Sequence, residues 1–300
     1  MAEEKEDCLQ TYWKVIEFLK RNEVKGGWQD LIIHSVDLTT KLGEIIYQCE
    51  KMQNEEKKTI RPEDNKILRA FKYAEPFEIK VVIIDTSPAA TESIANGLAF
   101  SSDRYESTLK PEHAQAIPIV HQALRKAKIL AEDGDYYCGH EEWARRGVLL
   151  LNAALTITEA QEESADDIKS HCKMWNKFLQ ELLFEWIIKT PTGYRHTLFV
   201  MLWGALPDGM INYAESAESV WSKVYKHQKL FKDVFKKKIR TFSTDHPTFP
   251  SGGDNNFLVE APGHFETINR EYRRIFYLKP RVSVDKLIEE TNKLSLDKKK

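Results

Sequence analysis

Three side chains, far apart in the chain, could do chemistry on a flat polar ligand: Phe100, Asn152 and His246. Asn152 carries an amide with a donor and an acceptor side by side, a match for the edge of a nucleobase, although an asparagine that ends a strand is more commonly a turn former. Phe100 lies in the turn Gly97-Leu98-Ala99-Phe100-Ser101-Ser102, where its ring is available to stack on something flat. His246 stands in Thr244-Asp245-His246-Pro247-Thr248-Phe249-Pro250-Ser251, a proline-bracketed turn. A lone loop histidine usually has no special role, and acid–base work is its less common use. Asp85 opens Asp85-Thr86-Ser87-Pro88, small and turn-forming residues that cannot continue a strand.

Positioning these groups requires strands that end beside one another. Val81-Val82-Ile83-Ile84 and Val148-Leu149-Leu150-Leu151 are uninterrupted apolar runs, as expected of strands buried on both faces of a parallel sheet. Thr197 to Trp203 is a third. Helical periodicity lies between them: Ile117 to Leu130, with Pro118 in its first turn, and His171 to Ile188, with Trp175, Phe178, Leu182 and Trp186 near one face. Strands alternating with helices predict an α/β fold with a mostly parallel, doubly wound sheet, in one large domain or two smaller ones, whose ligands bind at the carboxyl ends of the strands. Gly147 is expected to end a helix ahead of the second strand.

The remaining segments frame this core. Residues 1–75 read as a helical part packed on it, with Gln53 to Lys66 as an exposed polar connection; residues 76–280 form the core itself and 281–300 a charged tail. Residues 214–240 read as a basic helical insertion, where Trp221, Val224, Phe231, Val234 and Phe235 alternate with lysines including Lys223, Lys236, Lys237 and Lys238. A final helix opens at Gly263-His264-Phe265.

Composition sets outer limits. Three hundred residues with 42% hydrophobic content can bury a large core, and a net charge of −2 means that any polyanion-binding surface must be local. Met1 to Lys14 is too charged for a signal peptide and no run approaches a membrane span, so an intracellular chain, cytoplasmic or with the nucleoid or nucleus, is expected, as a monomer and without membrane partners. Cys8, Cys49, Cys138 and Cys172 are too scattered for a metal spacing and read as reduced structural thiols. No metal or cofactor is implied.

The order of landmarks GLAFS, WARRGVLLLNAALT, LFVMLWG, DHPTFPS and GHFETIN over roughly residues 28 to 276 resembles the uracil-DNA glycosylase superfamily, family-1 type. Trp143 to Thr156 carries most of this, nearly residue for residue against the family pattern WAxxGVLLLNxxLT. The resemblance implies a single α/β domain with a central, mostly parallel four-stranded sheet flanked by helices, and an enzyme that flips a base out of DNA and hydrolyses its N-glycosidic bond, leaving an abasic site. It implies Phe100 as stacking platform, Asn152 as reader of the base edge, and His246 as the group that stabilises the departing base's O2. It also implies Pro247, Thr248, Phe249, Pro250 and Ser251 as the loop entering the DNA minor groove; Lys236, Lys237 and Lys238, in the charge-rich stretch that leads into this loop, read equally as phosphate contacts or as a solvated face.

Against the family's GQDPYHG, Asp85 to Thr91 places Ser87 at the catalytic aspartate, Ala89 at the tyrosine that excludes a C5 methyl group, and Ala90 at the histidine. Asp85 is then the nearest carboxylate that could replace the missing acid, with Asp245 second. Ala89 and Ala90, beside Thr86, predict a base pocket enlarged around C5, suited to a hydroxymethylated or glucosylated pyrimidine of modified viral DNA and hence to defence. The alternative is a catalytically silent relative that binds DNA or a protein through the retained fold.

Overall fold

The apolar runs become adjacent parallel strands. The computed structural model describes residues 2–90, 95–109, 116–160, 164–189, 197–203, 220–224, 226, 239–248 and 256–281. We label its short strands β1 (Ile60–Arg61) and β4 (Ile157–Thr158), and its sheet strands β2 (Val81–Asp85), β3 (Val148–Asn152), β5 (Leu198–Trp203) and β6 (Ile239–Thr244). The four sheet strands lie in the order β3-β2-β5-β6, all parallel. Val81, Val82, Ile83 and Ile84 are each 0% exposed, so the absence of any polar alternation reflects cover on both faces. Burying each such side chain contributes about 1.5–3 kcal/mol, which anchors the centre of the sheet.

Helices supply that cover. The amino-terminal helices α1 (Ala2–Arg21), α2 (Gly26–Ile33) and α3 (Val36–Asn54) join the same hydrophobic core as the sheet, through Val15, Phe18, Trp28, Leu42 and Ile45 among others. Ser35 caps α3 by accepting the Leu38 N–H at 3.3 Å. Buried Trp28 lies 5.1 Å from Phe71 and 5.3 Å from Trp186, and donates its indole N–H to the Ala74 carbonyl, tying α2 to the core. Trp186 belongs to α6 (Ala165–Lys189), whose Trp175, Phe178, Leu182 and Trp186 are all 0% exposed, as their spacing predicts. The helices α4 (Ala116–Lys126) and α5 (Glu141–Arg145) precede β3. Gly147 ends α5 at φ +95°, and a Cβ there would stand 2.4 Å from the Glu78 carbonyl oxygen, so glycine is required for the chain to turn into β3.

Three expectations need correction. Ile239 and Arg240, read as the end of a basic helix, begin β6 instead. Thr241, Phe242, Ser243 and Thr244 favour an extended chain, and the Arg240 guanidinium lies over the Phe199 and Phe242 rings, 5.6 Å from each centre, which seats it at the sheet edge. The connection from Gln53 to Lys66 is not wholly exposed: α3 runs to Asn54, and Ile60 is buried where β1 pairs antiparallel with β4. The last helix, α7 (Phe257–Glu271), starts before Gly263 and contains Pro262. Proline removes one helical N–H, the one that would serve the Leu258 carbonyl. Lys126 of α4 supplies the missing donor, its Nζ 3.3 Å from that oxygen.

Candidate active site at the carboxyl ends of the strands

Strand register brings the candidate groups to one edge of the sheet. Asp85, last in β2, is the register partner of Asn152, last in β3. Trp203 of β5 is the partner of Thr244 of β6, and Asp245 and His246 follow immediately. In a parallel pair, register partners project to the same face, so Asp85 and Asn152 stand side by side.

His246 closes the arrangement. Its Nδ1 accepts the Thr248 backbone N–H at 3.2 Å and is 2.8 Å from the Thr248 hydroxyl. That leaves the hydrogen of a neutral ring on Nε2, which donates to Asp85 Oδ1 at 3.1 Å. The same carboxylate oxygen accepts the Thr86 N–H at 2.7 Å. The side chains of His246 and Asp85 are 10% and 13% exposed, so the pair is shielded yet reachable. The ring of Phe100 lies 5.7 Å from that of His246 and 4.8 Å from that of Trp203. Trp203 in turn packs edge-on against Phe257 and Phe265, which fixes the wall behind Phe100.

Phe100 holds a backbone φ of +51°, a conformation an aromatic residue adopts only when its surroundings impose it. The constraint is visible on both sides. Asn96 accepts the Leu98 N–H on its amide oxygen and donates to Ser101 Oγ at 2.9 Å and Asp103 Oδ1 at 3.0 Å. Arg69 Nη1 donates to the Asn96 carbonyl at 2.7 Å, and its guanidinium also engages Tyr73 and Glu141. Gly97, at φ +83°, lies against the Lys66 carbonyl, where a Cβ would approach to 2.0 Å. Arg69, Asn96, Ser101 and Trp203 therefore position the site although none was singled out from the sequence. The only local signal was the Asn96-Gly97 pair, a turn former.

Several polar atoms along this edge are buried and have no hydrogen-bond partner among the described residues: Asn152 Oδ1, Thr86 Oγ1, Thr244 Oγ1 and Trp203 Nε1. Leaving such an atom unpaired costs about 1–3 kcal/mol, so their concentration at the strand ends is a mark of a place where something polar binds. In the loop after Asp85, Ser87 and Ala89 are half-buried while Pro88 and Ala90 are buried. Ala90 accepts the Ala160 N–H at 3.3 Å, tethering the loop to the segment after β4. Asp245 is 9% exposed. Among the described residues no group of three or more His, Cys, Asp or Glu could hold a metal ion. Cys49 is a free thiol that burial pushes up to about 12, which leaves it inert.

Two of the expected DNA contacts, Pro247 and Thr248, follow His246 directly, and Thr248 sets its tautomer. Phe249, Pro250, Ser251, Lys236, Lys237 and Lys238 lie outside the described residues. Of the basic stretch, Lys223 binds Glu181 of α6 and lies 4.5 Å over the Phe184 ring.

No family model matches the sequence. Over 184 residues the chain is 31% identical to the uracil-DNA glycosylase of Lactococcus lactis subsp. cremoris, which spans 61% of this chain and 69% of that protein. The chain belongs to the uracil-DNA glycosylase superfamily. It is also 31% identical over 160 residues to the uracil-DNA glycosylase of Dictyostelium discoideum, covering 53% of this chain and 42% of that protein. Its fold is that of the mimivirus uracil-DNA glycosylase, with a TM-score of 0.59 at 18% identity over 87% of both chains. The enzyme of Nitratifractor salsuginis superposes with a TM-score of 0.54 at 19% identity, over 85% of this chain and 96% of that one. Among the described residues no helix is long and apolar enough to cross a membrane.

Proposed function

We propose that this protein is a DNA glycosylase that flips a pyrimidine carrying a bulky C5 substituent, hydroxymethylated or glucosylated, and hydrolyses its N-glycosidic bond. The observation that carries the reading is the contact of His246 Nε2 with Asp85 Oδ1 at 3.1 Å, beside Phe100 and the buried, unpartnered Asn152 Oδ1. In this reading the base stacks on Phe100 and Asn152 reads its edge. The base's O2 takes over the Nε2 hydrogen of His246 from Asp85. Water oxygen then bonds to C1′ as the C1′–N bond breaks. The bonding pair leaves with the base, where His246 stabilises the charge, and the water's proton passes to Asp85. Asp85 thus does the work that Ser87 cannot, since a hydroxyl has no charge with which to support the cationic sugar.

Support for an enlarged pocket is the set of small residues after Asp85, with Ala89 half-buried where the family has an aromatic wall. Without that aromatic wall a methyl or larger group at C5 is not excluded at this position, which makes glycosylated viral DNA the substrate class of this reading. The second reading, a DNA-binding relative without catalysis, is favoured by one observation: the donor hydrogen of His246 is already held by Asp85.

The test uses duplexes that are unmodified, contain uracil, or carry C5-hydroxymethylated or glucosylated cytosine, followed by alkali to break strands at abasic sites. Cleavage of the C5-modified duplexes is expected. Ala89→Tyr should abolish it while leaving the melting temperature unchanged, and equal rates in variant and wild type would overturn the enlarged pocket. Binding without strand breaks on any duplex would leave the silent reading.

A further inference from the structure

The mechanism above makes no use of a buried polar chain that starts at Arg125. Its guanidinium grips Glu106 through bonds of 2.9 and 2.7 Å, and Glu106 Oε2 lies 3.0 Å from His121 Nδ1. His121 Nε2 is 3.0 Å from His140 Nε2, and both imidazoles are 0% exposed. His140 lies flat on Trp143, with ring centres 4.0 Å apart and planes 5° from parallel. From there the chain reaches the platform. The His140 backbone N–H donates to Ser101 Oγ at 3.1 Å, Ser101 Oγ donates to the Cys138 carbonyl at 3.2 Å, and the Ser102 N–H donates to that same carbonyl at 3.0 Å.

Proton counting fixes how the two rings bond. Glu106 is ionised: burial would raise it, but bonds from His121 and Arg125 outweigh this and bring it down to about 2. Its oxygen can only accept, so His121 Nδ1 carries a hydrogen, and in a neutral His121 the bare Nε2 accepts from His140 Nε2–H. His140 Nδ1 is then a lone pair, in keeping with its lack of any partner of good geometry. Burial, reinforced by His121, holds His140 well below the usual imidazole range; the nearby Phe100 backbone acts the other way, at a geometry too poor for a hydrogen bond to Nδ1.

We propose that His121 and His140 are positioning residues: through Ser101 and Ser102 they hold the Phe100 ring against Trp203 and His246 at the angle a stacked base requires. The inference rests on Phe100 being the base platform of the reading above. Two physical arguments favour it over simple space filling. Apolar residues of equal volume would fill this interior at no desolvation cost, whereas a chain of directional hydrogen bonds favours one geometry. A non-glycine residue at φ +51° persists only where neighbours over-determine it, and this chain is bonded to the two residues that follow Phe100.

Two substitutions separate positioning from packing. In H121Q the amide can still donate to Glu106 and accept from His140, while H121L makes neither bond. Single-turnover cleavage of a C5-modified duplex should fall about tenfold or more in H121L and stay within about threefold of wild type in H121Q, with duplex affinity unchanged in both. With ¹³C-phenylalanine labelling, the Phe100 ring resonances should move in H121L and not in H121Q. Should H121L not fold, H140F carries the same expectation, because its ring can still stack on Trp143. Unmoved Phe100 resonances in H121L, or rate losses in both variants that merely follow their melting temperatures, overturn the proposal. If wild type cleaves no duplex, the glycosylase reading fails, and resonances that shift in H121L alone uphold the positioning.

Discussion

Of the histidine-centred hydrogen-bond chains among the described residues, the one at His246 and the one at His121 and His140 differ in exposure, and that difference separates their roles. His246 and Asp85, at the carboxyl ends of the strands, are 10% and 13% exposed, whereas His121 and His140 are sealed at 0%. In both, a carboxylate accepts from an imidazole at about the same distance, 3.1 Å in one and 3.0 Å in the other. The open pair retains groups that a ligand can compete for, with unpartnered Asn152 Oδ1 beside it. In the sealed pair the two rings bond to each other, His121 bonds to Glu106, and Glu106 is held by Arg125, so the pair can hold geometry but cannot reach a substrate. Burial rather than residue type decides which histidine pair is available for chemistry.

Removing the open pair's donor should have the largest effect. His246→Ala, and likewise Asn152→Ala, is expected to lower the single-turnover rate by about 10²–10³-fold, with the melting temperature little changed. If neither variant loses activity, the open pair is not the site and the comparison collapses.

Asp85→Asn comes next, with a loss of about 10²-fold if this carboxylate receives the water's proton. The amide keeps the size of the side chain and an oxygen able to accept from His246, so the variant isolates the charge. An unchanged rate would move attention to Asp245, or to a mechanism without a general base.

The smallest effect belongs to Glu106, the carboxylate behind the sealed pair, and is read in stability. Glu106 sits at about 2 when folded, against an ordinary 4.5, so its contribution is complete above pH 4.5 and is lost as pH falls towards 2. His140, held below its ordinary 6.5, adds loss of the same sign once pH falls beneath that value. Stability measured by urea titration should therefore decline towards acid, and Glu106→Gln should flatten the part of that decline between pH 4.5 and 2. Because Glu106 is only partly buried, the difference is expected on the order of 1–2 kcal/mol. A decline of equal depth in Glu106→Gln would show that other carboxylates govern acid sensitivity.

Much of the open site was legible beforehand, for a local reason. Val81–Ile84 and Val148–Leu151 are uninterrupted apolar runs, and a strand buried on both faces needs no information beyond its own composition. Asn152, Phe100 and His246 each sit in a short motif whose order along the chain marks the superfamily, and the structure brings Phe100 and His246 into ring contact. Ser87, Ala89 and Ala90 were equally visible as departures, because they are read against a local pattern.

What tertiary structure alone decided depends on contacts between distant residues. Nothing near Asp85 announces that its carboxylate will meet an imidazole 161 residues later; that follows from β6 joining the sheet two strands away from β2. β6 itself was misread because Ile239 and Arg240 continue a lysine-rich stretch, and only pairing with β5 makes them extended. His121 and His140 lie on two separate segments, and an imidazole pair is defined by approach in space and not by spacing. Local sequence thus determined which strands form and which residues end them, because propensity and burial act within a few residues. The partners of Asp85, the strained turn of Phe100 and the sealed relay behind it were decided by packing, which acts between segments that the sequence order keeps apart.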